Sequence, residues 1–309
     1  MQARLIISAF TGILFILFVT CNKTFKGSGS LKKHKVTFAG KTREYWIYLP
    51  KNFSSAKTYP LIFGLHGRGG DGKNAIKFMK LNPLADTYGF ICIYPDGYKR
   101  SWNDGRNKTP ASKAGIDDVA YLDFLIAKTK EEFLINEKRI YTVGMSNGGY
   151  MALTLACHLT NRFAAVASVT GIMAPNPETW CYPSQEIPVL LIGGFDDPIV
   201  PYKGGKISNG IETIGFDEAF NFWKTKNKCV GNSYIVSLPN QSKDGTTVEI
   251  ETYALCHNAS EVVLYRIVGG GHTWPGGSQY LPQAVIGRVS KEFNAEQIII
   301  DFFMKHQLP

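Results

Sequence analysis

The sequence predicts an α/β fold, with a mostly parallel central sheet, helices on both faces and an antiparallel hairpin near the N-terminus. Short apolar runs that are typical of buried strands alternate with helical stretches along most of the chain. The chain has 309 residues, of which 44% are hydrophobic, and this is ample for one sizeable core. We therefore expect a single folded domain over residues 35–309.

The first 21 residues are typical of an export signal. Arg4 precedes an apolar segment over Leu5–Val19, which is short for a membrane span. The tetrapeptide Phe18-Val19-Thr20-Cys21 resembles a relaxed bacterial lipobox, so Cys21 is a candidate for lipidation; a plain signal peptide or an uncleaved anchor are the alternatives. We expect an extracellular, periplasmic or outer-membrane protein that contacts a membrane only through an N-terminal lipid anchor.

The predicted elements follow a polar Gly/Ser tether over residues 22–34. The stretch VTFAGKTREYWIYLP alternates and turns at Ala39-Gly40, which predicts the antiparallel hairpin. Six apolar runs are then predicted strands, at residues 61–65, 90–95, 140–145, 164–169, 189–194 and 262–269. Helices are predicted at residues 116–134, 147–158, 216–226 and 292–305, and the first of them places Val119, Leu122 and Ile126 on one face.

The charge and the cysteines exclude some classes of function. The net charge is +9, but the lysines are scattered, which indicates a solvated basic surface and no nucleic-acid partner. No C-x-x-C or zinc-type spacing occurs among the six cysteines, so we predict no metal site. Cys92 lies in the apolar FICIY and is predicted to be a buried thiol. Four further cysteines could form two disulfides in an oxidising compartment: Cys157, Cys181, Cys229 and Cys256. Their spacing alone allows three pairings.

Ser146 is the strongest candidate for chemistry, because it follows a predicted strand and begins a predicted helix in Gly144-Met145-Ser146-Asn147-Gly148. A G-x-S-x-G turn in this position exposes the serine as a nucleophile. The serine needs a base to take its proton and an acid to orient that base. The candidate base is His272, in the glycine-rich GGGHTWPGG after the last predicted strand. The candidate acid is Asp196 or Asp197, which spacing alone does not separate.

The loop LHGRGGDGKN follows the first predicted strand of the parallel sheet. Acyl transfer creates an oxyanion, which two backbone N–H groups must bind, one after the nucleophile and one from such an early loop. We hypothesise that the N–H groups of Arg68 and Asn147 form this oxyanion hole. The alternative is a phosphate-binding loop, which needs Ser or Thr after the lysine to hold Mg²⁺. The residue there is Asn74, which argues against a nucleotide.

Together these pieces resemble the secreted polyhydroxybutyrate depolymerase and feruloyl/acetylxylan esterase group of α/β-hydrolases, carbohydrate esterase family 1. The matching words run in order from about residue 35 to 305: LHGRGGDG, YPDG with a later WN, DDVAYL, GMSNGGYMA, RFAAVASVTG, DDPIVPY and VVLYRIVGGGHTWPGG. The resemblance implies the α/β-hydrolase fold with Ser146 as nucleophile and His272 as base. It places Asp197 in the acid position and implies a Cys229–Cys256 disulfide. We suggest Cys157 with Cys181 as a second pair.

The resemblance also implies the activity. We expect a secreted or lipid-anchored serine carboxylic ester hydrolase that works through an acyl-enzyme, with no metal or organic cofactor. Its substrates would be feruloyl or acetyl esters of polysaccharides, or hydroxyalkanoate esters. The aromatic side chains of Trp102, Tyr202 and Trp274 are candidates for the walls of the substrate pocket. The alternatives are a peptidase on the same fold and a non-catalytic, hydrolase-like binding module.

Overall fold

The structure, a computed structural model, describes residues 27–207 and 210–309. Its strands are β1 (Ser30–Phe38), β2 (Lys41–Leu49), β3 (Tyr59–Leu65), β4 (Ile91–Pro95), β5 (Ile135–Met145), β6 (Ala165–Val169), β7 (Val189–Gly194), β8 (Gly205–Ile207), β9 (Ile211–Thr213), β10 (Tyr234–Ser237), β11 (Thr247–Tyr253) and β12 (Val262–Val268). Its α-helices are α1 (Gly72–Met79), α2 (Leu81–Tyr88), α3 (Pro110–Lys113), α4 (Asp118–Glu132), α5 (Asn147–His158), α6 (Phe216–Lys226), α7 (Gln283–Ile286) and α8 (Ala295–Lys305).

In the described part of the chain, ten strands form one sheet in the order β1-β2-β4-β3-β5-β6-β7-β12-β11-β10, and β8 pairs with β9 apart from it. From β4 to β12 neighbouring strands are parallel, and these strands match the six apolar runs predicted from the sequence. Antiparallel pairs complete both edges. The predicted mostly parallel sheet is therefore confirmed. The carboxyl ends of its central strands lie along one edge, where loops can bring reactive side chains together.

Helices cover both faces of the sheet, as predicted. The apolar faces of α4, α5 and α6 belong to one buried cluster, which includes Leu122, Ile126 and Trp223. The apolar faces of α1, α2 and α8 belong to a second cluster on the other side, which includes Met79 and Phe303. Because strands buried on both faces have no solvated side, the central strands are apolar at nearly every position.

The N-terminal hairpin is confirmed but is longer than predicted. It turns at Ala39 and Gly40, which both adopt positive φ, and Phe38 pairs with Lys41 across the turn. Strand β1 begins at Ser30, so residues 30–34 belong to the sheet and not to the tether. The alternation of apolar residues weakens there, whereas the backbone pairing continues to Leu49. The predicted signal segment, Cys21 and the start of the tether lie outside the described residues.

The structure contains the Cys229–Cys256 disulfide that the resemblance implied and the suggested Cys157–Cys181 disulfide. Cys157, at the end of α5, is bonded to Cys181, and Cys229, after α6, is bonded to Cys256. The thiol of Cys92 is free and buried. Within residues 27–207 and 210–309, no helix combines the length and apolar composition needed to span a bilayer.

Candidate active site

Ser146 lies in a sharp turn between β5 and α5, with φ 55° and ψ −122°. A positive φ is unfavourable for a residue with a side chain and persists only where the surroundings enforce it. The Ser146 N–H donates to the Val169 carbonyl at 2.8 Å, and the Ser146 carbonyl accepts the Tyr150 N–H at 3.0 Å. Neighbouring strand and helix therefore hold the strained residue from both sides.

The glycines of the G-x-S-x-G pentapeptide are required by close backbone contacts. A Cβ on Gly144 would lie 1.9 Å from the Gly148 carbonyl oxygen. A Cβ on Gly148 would lie 2.0 Å from the carbonyl oxygen of Leu65, at the end of β3. Any side chain at these positions would push the helix off the sheet, so the turn that presents Ser146 depends on both glycines.

Asp197 and His272 are joined by a hydrogen bond between Oδ2 and Nδ1 at 2.8 Å. The other carboxylate oxygen of Asp197 accepts the N–H groups of Ile199 and Val200, each at 2.8 Å. Asp197 is buried, with 5% of its surface exposed, whereas the adjacent Asp196 is exposed and has no bond to the histidine. The geometry thus distinguishes the two aspartates that spacing alone left open.

The loop that carries His272 is anchored through its backbone. The His272 N–H donates to the Ile286 carbonyl at 2.6 Å, and the Tyr280 hydroxyl donates to the His272 carbonyl at 2.9 Å. Because Asp197 occupies Nδ1, Nε2 is the nitrogen left for proton transfer. His272 and Ser146 line one cavity of about 660 Å³. Among the described residues no hydrogen bond joins them, and such contacts commonly tighten only once substrate is bound.

His66, directly after β3, is buried and bonded to backbone at both ring nitrogens. The Gly97 N–H donates to Nε2 at 2.8 Å, so Nε2 must be the acceptor and the ring proton lies on Nδ1. Nδ1 then donates to the Gly67 carbonyl at 2.8 Å. Burial lowers the pKa of His66 to about 4, so the ring is neutral at physiological pH.

These bonds orient the peptide unit between Gly67 and Arg68. In a trans peptide the N–H points away from the carbonyl, so fixing the Gly67 carbonyl towards His66 directs the Arg68 N–H to the opposite side. A Cβ on Gly67 would lie 3.5 Å from the Cβ of Ser146, which places this loop beside the serine. Within the described chain, neither the Arg68 N–H nor the Asn147 N–H has a hydrogen-bond acceptor.

Asn147 is fixed by its own side chain. Its Oδ1 accepts the Trp102 N–H at 2.9 Å, and its Nδ2 donates to Asp104 Oδ2 at 2.6 Å. Asp104 in turn forms a buried ion pair with Arg106, whose guanidinium lies 3.6 Å from the centre of the Tyr150 ring. Sequence reasoning missed Asp104 and Arg106, although they continue directly from the WN word in WNDGR.

The motif DDVAYL does not contact Ser146 but binds the segment 102–106 that holds Asn147. Asp118, at the start of α4, accepts the Asn103 N–H at 2.8 Å and the Nη2 of Arg43 at 2.9 Å. Arg43 and Asp118 are both buried. Through Asn103, this ion pair holds the segment in which the neighbouring Trp102 N–H bonds to Asn147.

The three aromatic side chains predicted to line the substrate pocket lie elsewhere. Trp102, Tyr202 and Trp274 are at most 2% exposed and none of them lines the cavity. The indole of Trp102 donates to the His66 carbonyl, and that of Trp274 donates to Glu296 on α8. The Tyr202 ring stacks between two phenylalanines and its hydroxyl bonds to Asp217. Each packs or hydrogen-bonds within the protein behind the cavity, so the prediction that they contact substrate is corrected.

The walls of the cavity come from two groups of apolar residues. One group is supplied by α1, by the loop before α7 and by α7 itself, namely Ala75, Phe78, Met79, Tyr280, Leu281 and Ile286. The other is supplied by the segment after β7 and by β8 and β9, namely Ile199, Val200, Ile207 and Ile211. No cluster of three His, Cys, Asp or Glu side chains among residues 27–207 and 210–309 is placed to hold a metal ion.

Known proteins resemble this chain in sequence. A family model described as Esterase PHB depolymerase matches residues 43–198, which include Ser146 and Asp197. NocK of Nocardia uniformis subsp. tsuyamanensis, named as an esterase, is 29% identical over 281 residues, which are 87% of this chain and 81% of that protein. Feruloyl esterase B of Piromyces equi is 28% identical over 240 residues, which are 74% of this chain and 42% of that protein. The chain thus spans less than half the length of the Piromyces relative.

Solved structures resemble it in fold. An acetyl xylan esterase from Aspergillus awamori superposes with a TM-score of 0.58 at 16% identity, covering 79% of this chain and 94% of that chain. A thermostable esterase superposes with a TM-score of 0.56 at 16% identity, covering 90% of this chain and 63% of that chain. At such identity the likeness establishes the α/β-hydrolase fold alone.

The family match is the decisive comparison, because it covers more than half of the chain. It includes the turn that presents Ser146 and the loop that carries Asp197, both described above. The similarity to NocK extends over most of the remaining chain. The chain therefore belongs to the PHB depolymerase family of esterases and is a carboxylic ester hydrolase.

Proposed function

We propose that this protein is a serine esterase that works through an acyl-enzyme, with Ser146 as nucleophile, His272 as base and Asp197 as the acid that orients it. The observation that carries the proposal is the Asp197–His272 hydrogen bond of 2.8 Å beside the strained Ser146 in one cavity. A serine hydroxyl is a poor nucleophile without such a pair, and the pair has little purpose without an adjacent nucleophile.

Acylation begins when Nε2 of His272 takes the proton of Ser146 as the hydroxyl attacks the ester carbonyl. The Asp197 carboxylate holds the ring and stabilises the imidazolium that forms. His272 then gives its proton to the departing alcohol, which leaves the acyl group bonded to Ser146. Water, deprotonated by the same histidine, attacks the acyl-enzyme and releases the acid.

The oxyanion of each tetrahedral intermediate would be bound by the N–H groups of Arg68 and Asn147. Both groups lack an acceptor among the described residues, both border the cavity, and both belong to segments fixed by buried side chains. Preorganised donors of this kind act without reorganisation as charge develops. The loss of one donor typically raises the barrier by about 3 kcal/mol.

For substrates, we propose feruloyl or acetyl esters of polysaccharides, or hydroxyalkanoate esters. The names of the relatives support the first class, and the family description supports the second. A cavity of about 660 Å³ with apolar walls suits an acyl group of this size. We also propose that the protein is exported, because two disulfides stabilise its fold and disulfides persist in oxidising compartments.

The test is hydrolysis of p-nitrophenyl acetate and butyrate, methyl ferulate, acetylated xylan and short hydroxybutyrate oligomers by the wild type and by Ser146→Ala. We expect the substitution to remove turnover of every ester that the wild type cleaves, while circular dichroism shows an intact fold. Equal rates for the two proteins would refute the assignment of Ser146.

A further inference from the structure

The cavity around Ser146 is lined by positive charge. Three arginines contribute to its walls: Arg68, Arg100 and Arg106. Among the described residues no aspartate or glutamate lines it. Asp197 lies behind His272 with both carboxylate oxygens bonded. Asp104 and Asp71, the partners of Arg106 and Arg100, also lie outside the lining. A low-dielectric cleft lined by charge of one sign concentrates ligands of the opposite sign.

Arg68 and Arg100 are exposed on neighbouring loops that border the cavity. No hydrogen bond or ion pair of the Arg68 side chain exists within the described residues, so its charge is uncompensated there. The contacts of the Arg100 side chain are long: 3.4 Å to the Gly70 carbonyl, 3.4 Å to Asn74 Oδ1 and 3.5 Å to the half-exposed Asp71, which also caps α1. Both guanidinium groups can therefore turn towards a ligand at little cost.

Arg106 lies deeper, with 6% of its side chain exposed. Its Nε and Nη2 bond to Asp104, whereas Nη1 has no acceptor among the described residues and is not fully enclosed. The guanidinium lies over the Tyr150 ring, whose hydroxyl bonds to Thr213 of β9 at 2.8 Å. Arg106 therefore belongs to the side of the cavity formed by β8 and β9.

We propose that the preferred esters carry a carboxylate, which Arg106 binds inside the cavity while Arg68 and Arg100 attract it at the rim. The inference rests on the proposed function, because it concerns the substrate of the same serine. A planar guanidinium with a free amino group is suited to a carboxylate, and a charge-assisted hydrogen bond is stronger than a neutral one. The apolar side chains that line the same cavity would contact the carbon chain that separates the carboxylate from the ester.

Two pairs of esters that differ in one charge test this. The first pair has the charge on the acyl half: the p-nitrophenyl half-ester of adipate and p-nitrophenyl hexanoate. The second has it on the alcohol half: the linear 3-hydroxybutyrate dimer with a terminal carboxylate and the same dimer with a terminal amide. We expect kcat/KM to favour the charged ester of at least one pair by about 10-fold at low salt. Raising the ionic strength to about 0.5 M should remove most of that preference.

Substitutions identify the source of the preference. Arg106→Gln should bring the ratio of charged to neutral kcat/KM close to one. Arg106→Gln also leaves Asp104 without its cation, which could unfold the site. Arg68→Gln and Arg100→Gln change exposed side chains instead, and each should lower the ratio of charged to neutral kcat/KM about 2- to 3-fold. The matched control is Arg162→Gln, which removes a surface arginine paired with Asp123 outside the cavity lining and should leave the ratio unchanged.

The inference is overturned if both pairs show ratios near or below one, or if the three cavity variants behave like Arg162→Gln. Failure of the proposed function gives a different result, because Ser146→Ala would then cleave the neutral esters as fast as the wild type. If the wild type cleaves neutral esters through Ser146 but shows no preference for charge, the esterase assignment stands and the inference alone fails.

Discussion

His66 and His272 invite comparison, because both follow parallel strands at the same edge of the sheet and both line the cavity around Ser146. Both are buried, at 1% and 4% exposure. Their partners differ. His66 is bonded to a backbone N–H and a backbone carbonyl, whereas His272 is bonded to the carboxylate of Asp197.

The difference shows that burial alone does not determine the function of an imidazole, because its hydrogen-bond partners also decide whether it can exchange a proton. With both nitrogens occupied by backbone and its pKa lowered to about 4 by burial, His66 cannot exchange protons near neutral pH and instead fixes the loop beside Ser146. The carboxylate at Nδ1 of His272 stabilises the protonated ring and leaves Nε2 towards the cavity. One histidine is a positioning residue, and the other is the proposed base.

The largest effect should come from removing the base. We expect His272→Gln to lower kcat for p-nitrophenyl butyrate by about 10⁵-fold or more, because loss of the base disables the whole triad. The substitution leaves the fold in place, as thermal unfolding should verify. A loss of less than about 100-fold would contradict the assignment of His272.

The next effect separates the two adjacent aspartates. Asp197→Asn should lower kcat by about 10⁴-fold, because an amide can hold His272 in the wrong tautomer and cannot stabilise the imidazolium. Asp196→Asn is the matched control, since its exposed side chain has no bond to the histidine, and its kcat should stay within about 3-fold of wild type. Equal losses of kcat in the two variants would show that catalysis does not depend on the hydrogen bond between Asp197 and His272.

A smaller effect is expected from the positioning histidine. His66→Asn should lower kcat by about 10- to 100-fold, because the Gly67–Arg68 peptide loses its support while the triad stays intact. The bell-shaped or sigmoid pH profile of kcat/KM should keep its acidic limb at the same pH, since His272 still provides the base. A profile displaced by the substitution would instead implicate His66 in proton transfer.

The smallest expected effect is a change in the free energy of unfolding with pH. The unfolded chain binds a proton at His66 near pH 6.5, whereas the folded chain does so only near pH 4. The contribution of His66 to the free energy of unfolding is therefore fully present above about pH 6.5, and it falls by up to about 3 kcal/mol as the pH drops to 4. In urea titrations, the stability advantage of wild type over His66→Asn should shrink across this window. An advantage that stayed constant or grew would contradict a neutral, buried His66.

Most of the fold could be predicted from the sequence, and so could the residues of the proposed triad. The central strands are buried on both faces and thus leave continuous apolar runs, and the reactive residues follow them directly. Ser146 is recognisable because its glycines are required by backbone contacts at about 2 Å. The disulfide pairing came from the family resemblance, since cysteine spacing alone allows three pairings.

What the sequence did not reveal depends on the arrangement of side chains. Trp102 and Trp274 belong to motif words, but burial places them behind the cavity, and an aromatic residue type does not show which side it faces. Arg106 was missed because its importance arises from its closeness to Asp104 and Asn147, which only the folded loop provides. That His66 holds the Gly67–Arg68 peptide is likewise visible only in its hydrogen-bond partners.

The most direct test of the central claim is covalent labelling of the nucleophile with a fluorophosphonate, followed by peptide mass spectrometry. We expect one adduct, on Ser146, in the wild type and in His66→Asn, with the variant labelled about 10- to 100-fold more slowly because its oxyanion hole is weakened. In His272→Gln the same label should form at least about 10³-fold more slowly. Labelling at another residue, or labelling of Ser146 at an unchanged rate without His272, would contradict the account.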